Sequence, residues 1–178
     1  YRRTAQRLLF DRKDKSATPL LKELIADDKA LGGVQALWLL HDSGNLDAKD
    51  LANALGSSTE GIRENALQVA DRMIDKPGFA NNPTLQKQLV GLSDDPSARV
   101  RFQWLCSSGF LHLPNSAALR AKILAKDIED PWAGIAAIAA SQDTEEALLK
   151  SYIQTLGTSP SKGKSTFFSY LAATLVKK

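Results

Sequence analysis

The sequence predicts an all-α chain in which about five helical hairpins stack into a right-handed α-α superhelix. Three observations predict it. The segment Gly61-Ile62-Arg63-Glu64-Asn65-Ala66-Leu67-Gln68-Val69-Ala70 has a degenerate copy at Arg99-Val100-Arg101-Phe102-Gln103-Trp104-Leu105, with weaker copies at Gly33-Val34-Gln35-Ala36-Leu37 and Arg3-Thr4-Ala5-Gln6. Taking Ala5, Ala36, Ala66, Trp104 and Ala136 as equivalent gives spacings of 31, 30, 38 and 32 residues, the period of a helical-hairpin array. No sustained period-2 alternation rich in β-branched residues occurs, so no strand is predicted. In such an array each hairpin touches only its neighbours. The result is an extended surface, where a closed catalytic pocket would need a converging one.

The elements follow in order from periodicity and capping chemistry. Helices are predicted near 1–13, 17–27, 29–42, 47–55, 58–75, 83–92, 96–110, 115–126, 131–141, 143–156 and 165–177. The repeat period pairs them as an opening half-repeat at 1–13, hairpins 17–42, 47–75, 83–110 and 115–141, and a last pair at 143–177. Ser57-Ser58-Thr59-Glu60 and Asp143-Thr144-Glu145-Glu146 both fit the capping box, in which a side-chain oxygen and a carboxylate three residues later satisfy orphan N–H groups. Asp95-Pro96, Leu113-Pro114 and Asp130-Pro131 place proline where a first turn tolerates it. Breaks fall at 42–45, at 76–83 and at 157–163, and the proline- and asparagine-rich loop at 76–83 absorbs the extra length of the repeat between Ala66 and Trp104.

Composition agrees with one elongated domain over residues 1–178, since 43% hydrophobic and 24% charged residues are ordinary for a globular chain. The chain opens at Tyr1 inside a helical pattern, from which a fragment of a larger protein is expected. No segment has the 18 or so uninterrupted apolar residues of a span, so no membrane insertion is expected. Cys106 is the one cysteine, which rules out an internal disulfide, a cysteine-based zinc site and a CxxCH haem attachment within these residues. The net charge of +3 divides into +4 over residues 1–15, +4 over residues 160–178 and −5 between them. A nucleic-acid reader would instead place its basic residues along one face.

The period, together with the Asp-Asp-Pro-x-x-x-Val-Arg-x-x spacing from Asp94 to Gln103, resembles HEAT repeats. Arg3-Thr4-Ala5-Gln6-Arg7-Leu8-Leu9, Gln35-Ala36-Leu37-Trp38-Leu39-Leu40, Ile62-Arg63-Glu64-Asn65-Ala66-Leu67 and Val100-Arg101-Phe102-Gln103, in that order, resemble the helical region of large exported bacterial proteins described as membrane-bound dehydrogenases. In that family a sugar-dehydrogenase-like β-propeller precedes the HEAT-like region and a c-type cytochrome module follows it. The resemblance runs from Tyr1 to about Trp132 and implies a spacer or docking module in a periplasmic or cell-envelope protein, with neighbouring domains or another subunit as partner. The family's haem motif has no counterpart in Cys106-Ser107-Ser108-Gly109-Phe110, so no cofactor is carried over. A different HEAT-like resemblance, to DNA alkylation-repair glycosylases that cradle the duplex in a basic groove, implies nucleic-acid binding as the alternative; the acidic middle of the chain disfavours it.

Superposing the second helices of the repeats separates a mostly apolar register (Ala5, Ala36, Ala66 and Trp104, with Gln6, Leu37, Leu67 and Leu105 beside them) from a polar one. The polar register reads Thr4, Gln35, Asn65 and Gln103, with Arg7, Trp38, Gln68 and Cys106 three residues further along. In a HEAT-like solenoid the second helices line the concave wall. The strip of Arg7, Gln35, Trp38, Asn65, Gln68 and Gln103 is then either an amide ladder between repeats or a groove for a protein segment with Trp38 as its anchor. Trp104 and Trp132, which align with Ala66 and Ile62, are expected in the core. Arg2, Arg63 and Arg101 share a register and are expected to pair with Asp27, Asp28, Asp94 and Asp95; a phosphate-binding row is the other reading.

Gly157 to Ser165 invites a phosphate-loop reading, but five residues separate Gly157 from Gly163 where that motif has four, so Lys164-Ser165 is read as a basic linker and helix cap. His41 and His112 have no partner at metal-ligand spacing. The carboxylate pairs lie at turns and helix starts, where they favour exposed N–H groups. No catalytic residue, metal ligand or cofactor is proposed from the sequence, and an enzyme is not expected.

Overall fold

The computed structural model describes residues 2–12, 15–27, 32–155 and 159–176, without the side chains of Arg2, Arg3, Ala5, Gln6 and Arg12. The repeat copy at Arg3 to Gln6, the pairing of Arg2, Asp28 and Gly157 therefore lie outside the described residues. Within them there are eleven α-helices, two 3₁₀ turns and no strand.

Two compact units divide the chain, residues 1–89 and 90–178. The first holds α1 (Arg2–Arg12), α2 (Thr18–Ala26), α3 (Gly33–Asp42), α4 (Ala48–Leu55) and α5 (Glu60–Met73), and α6 (Pro83–Gly91) runs over the boundary. The second holds α7 (Ala98–Ser107), α8 (Ser116–Asp127), α9 (Pro131–Ala139), α10 (Glu145–Thr155) and α11 (Lys162–Val176). In the first unit α2 packs on α3 and α4 on α5, while α3 also meets α1 and α5, and α2 meets α4. The second unit repeats the pattern, with α7 on α8, α8 on α9, α10 on α11, and the alternate contacts α7 with α9, α9 with α11 and α8 with α10.

The apolar register buries as its period requires. Ala36, Leu37, Ala66, Leu67, Trp104 and Leu105 have almost no exposed surface, Ala136 is buried less completely at 9% exposed, and Ile62 and Val100, one turn before Ala66 and Trp104, are also buried. Apolar side chains at i, i+1 and i+4 sweep one helical flank, and removing that flank from water supplies most of the helices' stability.

Helix starts depart from the expected capping boxes. Glu60 opens α5, and its N-cap Thr59 makes no side-chain cap bond. Arg63 pins the preceding turn, its Nη1 donating to the carbonyls of Ser57 and Ser58, both at 2.9 Å. Arg101 repeats the arrangement at α7, donating to the carbonyls of Asp95 and Pro96 at 2.7 and 3.0 Å. A full capping box stands at α4, where Asp47 and Asp50 cap reciprocally. Lys22 of α2 bridges both carboxylates at 2.7 Å, and these partners, Asp47 foremost, raise its pKa. At α10, Asp143 takes a left-handed backbone (φ 64°) before the helix begins at Glu145.

In the second unit, Arg120 of α8 is almost fully buried and donates to Ser108 Oγ, the Ser108 carbonyl and Ser141 Oγ. Ser108 caps the C-terminus of α7, and Ser141 follows α9. The cation thus meets the negative ends of two helix dipoles, which offset its desolvation. Burial still lowers its pKa.

Helix α11 starts at Lys162, three residues before the expected Ser165, because Ser161 Oγ accepts the Lys164 N–H at 3.2 Å. Gly163 lets this start approach the end of α8: a Cβ there would stand 2.1 Å from the Ile128 carbonyl oxygen.

Candidate protein-binding strip

Gln35 and Trp38 stand one turn apart on α3, and Asn65, Gln68 and Arg72 succeed one another at i, i+3 and i+7 on α5, so each set follows one helical stripe. The stripes flank the buried Ala36 and Ala66 faces. Gln35, Trp38, Asn65 and Gln68 are consequently half-buried.

The indole Nε1 of Trp38 donates to Asn65 Oδ1 at 2.8 Å, and Asn65 Nδ2 donates back to the Gly61 carbonyl at 2.8 Å. One helix therefore fixes the amide, and the amide fixes the indole of the next. The His41 ring meets Trp38 edge-on with centroids 5.6 Å apart, and its Nδ1 lies 2.8 Å from Asp42 Oδ1. Arg72 completes the cluster, its Cζ 4.7 Å from the Trp38 ring centroid in a cation–π contact.

Of the two readings of the strip, a continuous amide ladder is absent among the described residues. Its one rung is indole to amide, and the side-chain amides of Gln35 and Gln68 have no hydrogen-bond partner there. Gln103 lies in the second unit and donates to Ser107 Oγ of its own helix at 3.0 Å. Arg7 is exposed on α1 and pairs with Asp11, one turn along, at 3.6 Å. The structure thus joins Trp38 to Asn65, sets Gln35 and Gln68 along the same stripes, and turns Arg7 and Gln103 to partners on their own helices.

Arg72 is the strip residue that the repeat alignment missed. Its signal was present: it lies four residues after Gln68, which continues the Asn65–Gln68 stripe by one turn.

The pairing expected for Arg101 forms differently. Arg101 donates from Nε and Nη2 to the two carboxylate oxygens of Asp127, at 2.7 and 2.6 Å, while its contact with Asp95 is to the backbone carbonyl. Asp94 instead receives Lys122 and Lys126 of α8, which hold its pKa below the usual carboxylate value, Lys122 contributing most. The reason is reach: α8 ends beside the start of α7, so a carboxylate 26 residues ahead faces Arg101 while the turn carboxylates point elsewhere.

Trp104 is fully buried as expected, whereas Trp132 is 64% exposed, against the core placement expected for it. The buried face of α9 is made of Ala133, Gly134, Ala136 and Ala137, and a Cβ on Gly134 would already stand 3.4 Å from the Phe167 ring. That closely packed face has no room for an indole. Phe102, Phe110 and Ile135 are also exposed in this unit.

The phosphate-loop candidate is engaged internally, for Glu129 Oε2 accepts the Gly163 N–H at the start of α11. Among the described residues, no group of three His, Cys, Asp or Glu side chains could hold a metal ion, and no helix is long and apolar enough to cross a membrane. A cleft of about 300 Å³ beside α1, α2 and α3 is lined by Leu9, Phe10, Lys15, Thr18, Leu21 and Asp42 among others, with no nucleophile–base pair in it. Comparison with known protein families, with curated proteins and with solved structures returned no match.

Proposed function

We propose that the chain is a non-catalytic interaction or spacer module, its hairpins wound as a right-handed HEAT-like superhelix, and that its first unit binds an extended protein segment along Gln35, Trp38, Asn65 and Gln68. The unpartnered, half-buried amides of Gln35 and Gln68 carry this reading. Their polar atoms are open to solvent, and the backbone of an extended segment supplies both a donor and an acceptor for them at each residue. The repeated burial register and the matching contacts of Arg63 and Arg101 to the carbonyls of the turns before α5 and α7 support the superhelical arrangement. Nucleic-acid binding gains no support from Arg101, whose guanidinium is occupied by Asp127 and two carbonyls.

The resemblance of the repeats to the helical region of exported dehydrogenases places the module, in this proposal, between redox domains in the periplasm or cell envelope. A signal peptide upstream and a CxxCH motif downstream in the parent reading frame are the expected findings, and their absence from it counts against that placement. For binding itself, a peptide array tiling the parent reading frame is probed with the wild-type chain and with W38A. Discrete peptides bound by the wild type and roughly tenfold weaker with W38A are expected. Equal binding by both proteins overturns the proposal.

A further inference from the structure

We infer that the strip selects an acidic segment, whose carboxylate docks on Arg72; this rests on the peptide-binding reading above and names the chemistry of its ligand. The guanidinium carbon of Arg72 lies 4.7 Å from the Trp38 ring centroid, a cation–π contact that uses none of the five N–H donors. Arg72 makes no hydrogen bond or ion pair among the described residues. An arginine held over an aromatic ring with its donor edge free is complementary to the two oxygens of a carboxylate.

The platform is set before any ligand arrives. Gly61 holds Asn65, Asn65 holds the indole of Trp38, and the indole holds Arg72, through contacts of 2.8, 2.8 and 4.7 Å. A flexible surface arginine would lose rotamer freedom on binding, whereas this one has already lost much of it, so the cost of docking is smaller. Gln68, one turn before Arg72, and Gln35, one turn before Trp38, offer amide donors and acceptors to the peptide bonds that flank the docked carboxylate. A nucleic acid would need a row of cations to match its charge density. Along this strip Gln35, Trp38, Asn65 and Gln68 are uncharged and Arg7 is paired with Asp11, which favours a single side-chain carboxylate on a protein segment.

The test titrates the isotopically labelled chain with two synthetic probes, acetyl-hexaglutamate-amide and acetyl-hexaglutamine-amide, at low ionic strength. The readouts are the indole N–H resonance of Trp38 and the side-chain amide resonances of Gln35, Asn65 and Gln68. Hexaglutamate is expected to move them at a roughly tenfold lower concentration than hexaglutamine. R72Q is expected to abolish the difference, and R72K, which keeps the charge but not the planar fork, to retain less than about a third of it. Arg72 is exposed, so both variants keep the fold, which circular dichroism checks. If hexaglutamate retains its advantage in R72Q, or moves none of these resonances in the wild type, the inference is overturned. Equal movement by both probes removes the acidic preference and leaves peptide binding standing. Silence towards both also removes it, and the array comparison with W38A then decides the wider reading by itself.

Discussion

Trp38 and Asn65, on successive second helices of the first unit, are joined by a hydrogen bond of 2.8 Å from the indole nitrogen to the amide oxygen. N65A removes the acceptor and leaves a half-buried N–H without a partner. The expected loss of unfolding free energy is about 1 kcal/mol, measured by urea denaturation. W38F in the N65A background should then cost less than W38F alone, because the bond has already gone; additive losses would mean that the two residues do not interact.

Arg101 ties the start of α7 to Asp127 by a two-pronged contact of 2.6 and 2.7 Å while capping two carbonyls with its remaining nitrogen. R101A should cost about 1.5–3 kcal/mol, since the pair is largely shielded from water and each bond is charge-assisted. R101K should restore less than half of the loss, because an ammonium cannot fork across two oxygens. The midpoint of urea unfolding, at unchanged slope, is the measurement.

Two glycines should respond to alanine in opposite directions. At Gly163 a Cβ would collide with the Ile128 carbonyl at 2.1 Å, so G163A must shift the start of α11, at a cost of about 1–3 kcal/mol. At Gly61, inside α5, nothing lies within 4 Å of the added carbon. G61A should stabilise the chain by about 0.4–1 kcal/mol, chiefly by restricting the unfolded state. Thermal unfolding of the two variants beside the wild type separates them by sign.

Tyr152 packs its ring edge-on against Phe167, centroids 4.8 Å apart, and its buried hydroxyl has no hydrogen-bond partner among the described residues. Burial, and then the nearby Glu129 carboxylate, push its pKa up from 10.0 to about 12. The unfolded chain therefore releases this proton first as the pH rises. The contribution to stability is complete below pH 10, declines above it and is gone once the folded phenol ionises near pH 12. Y152F removes that decline. The stability difference between wild type and Y152F should be flat up to about pH 10 and then move in favour of the variant; a flat difference up to pH 12 would refute the shift.

Much of the fold was legible before any coordinates. All eleven helices were expected close to where they occur, because each carries a stretch of apolar side chains at helical spacing bounded by proline, glycine or a capping residue. Where boundaries moved, a neighbour moved them. Ser161 starts α11 early, and α5 begins at Glu60 with Thr59 as N-cap, while Arg63 holds the turn before it through the Ser57 carbonyl.

The strip was legible only in part. Its half-buried amides could be found from the register, since residues beside a buried flank must lie at its edge. Their partners could not. Gln103 bonds within its own helix and Asn65 across to another, although the repeat alignment treats them as equivalent. The exposure of Trp132 was hidden for the same reason: its alignment with Ile62 assumes a helix rotation that the small residues of α9 do not keep.

By itself, then, the sequence determined the helical content and the faces that α3, α5 and α7 bury, because a period of 3.6 residues is a local property. Tertiary structure alone decided that Arg101 meets Asp127, that Arg72 stacks on Trp38 and that Trp132 stays in water. Those outcomes depend on separations of a few ångströms between neighbouring helices, and these separations are set by how side chains of different volume pack between them.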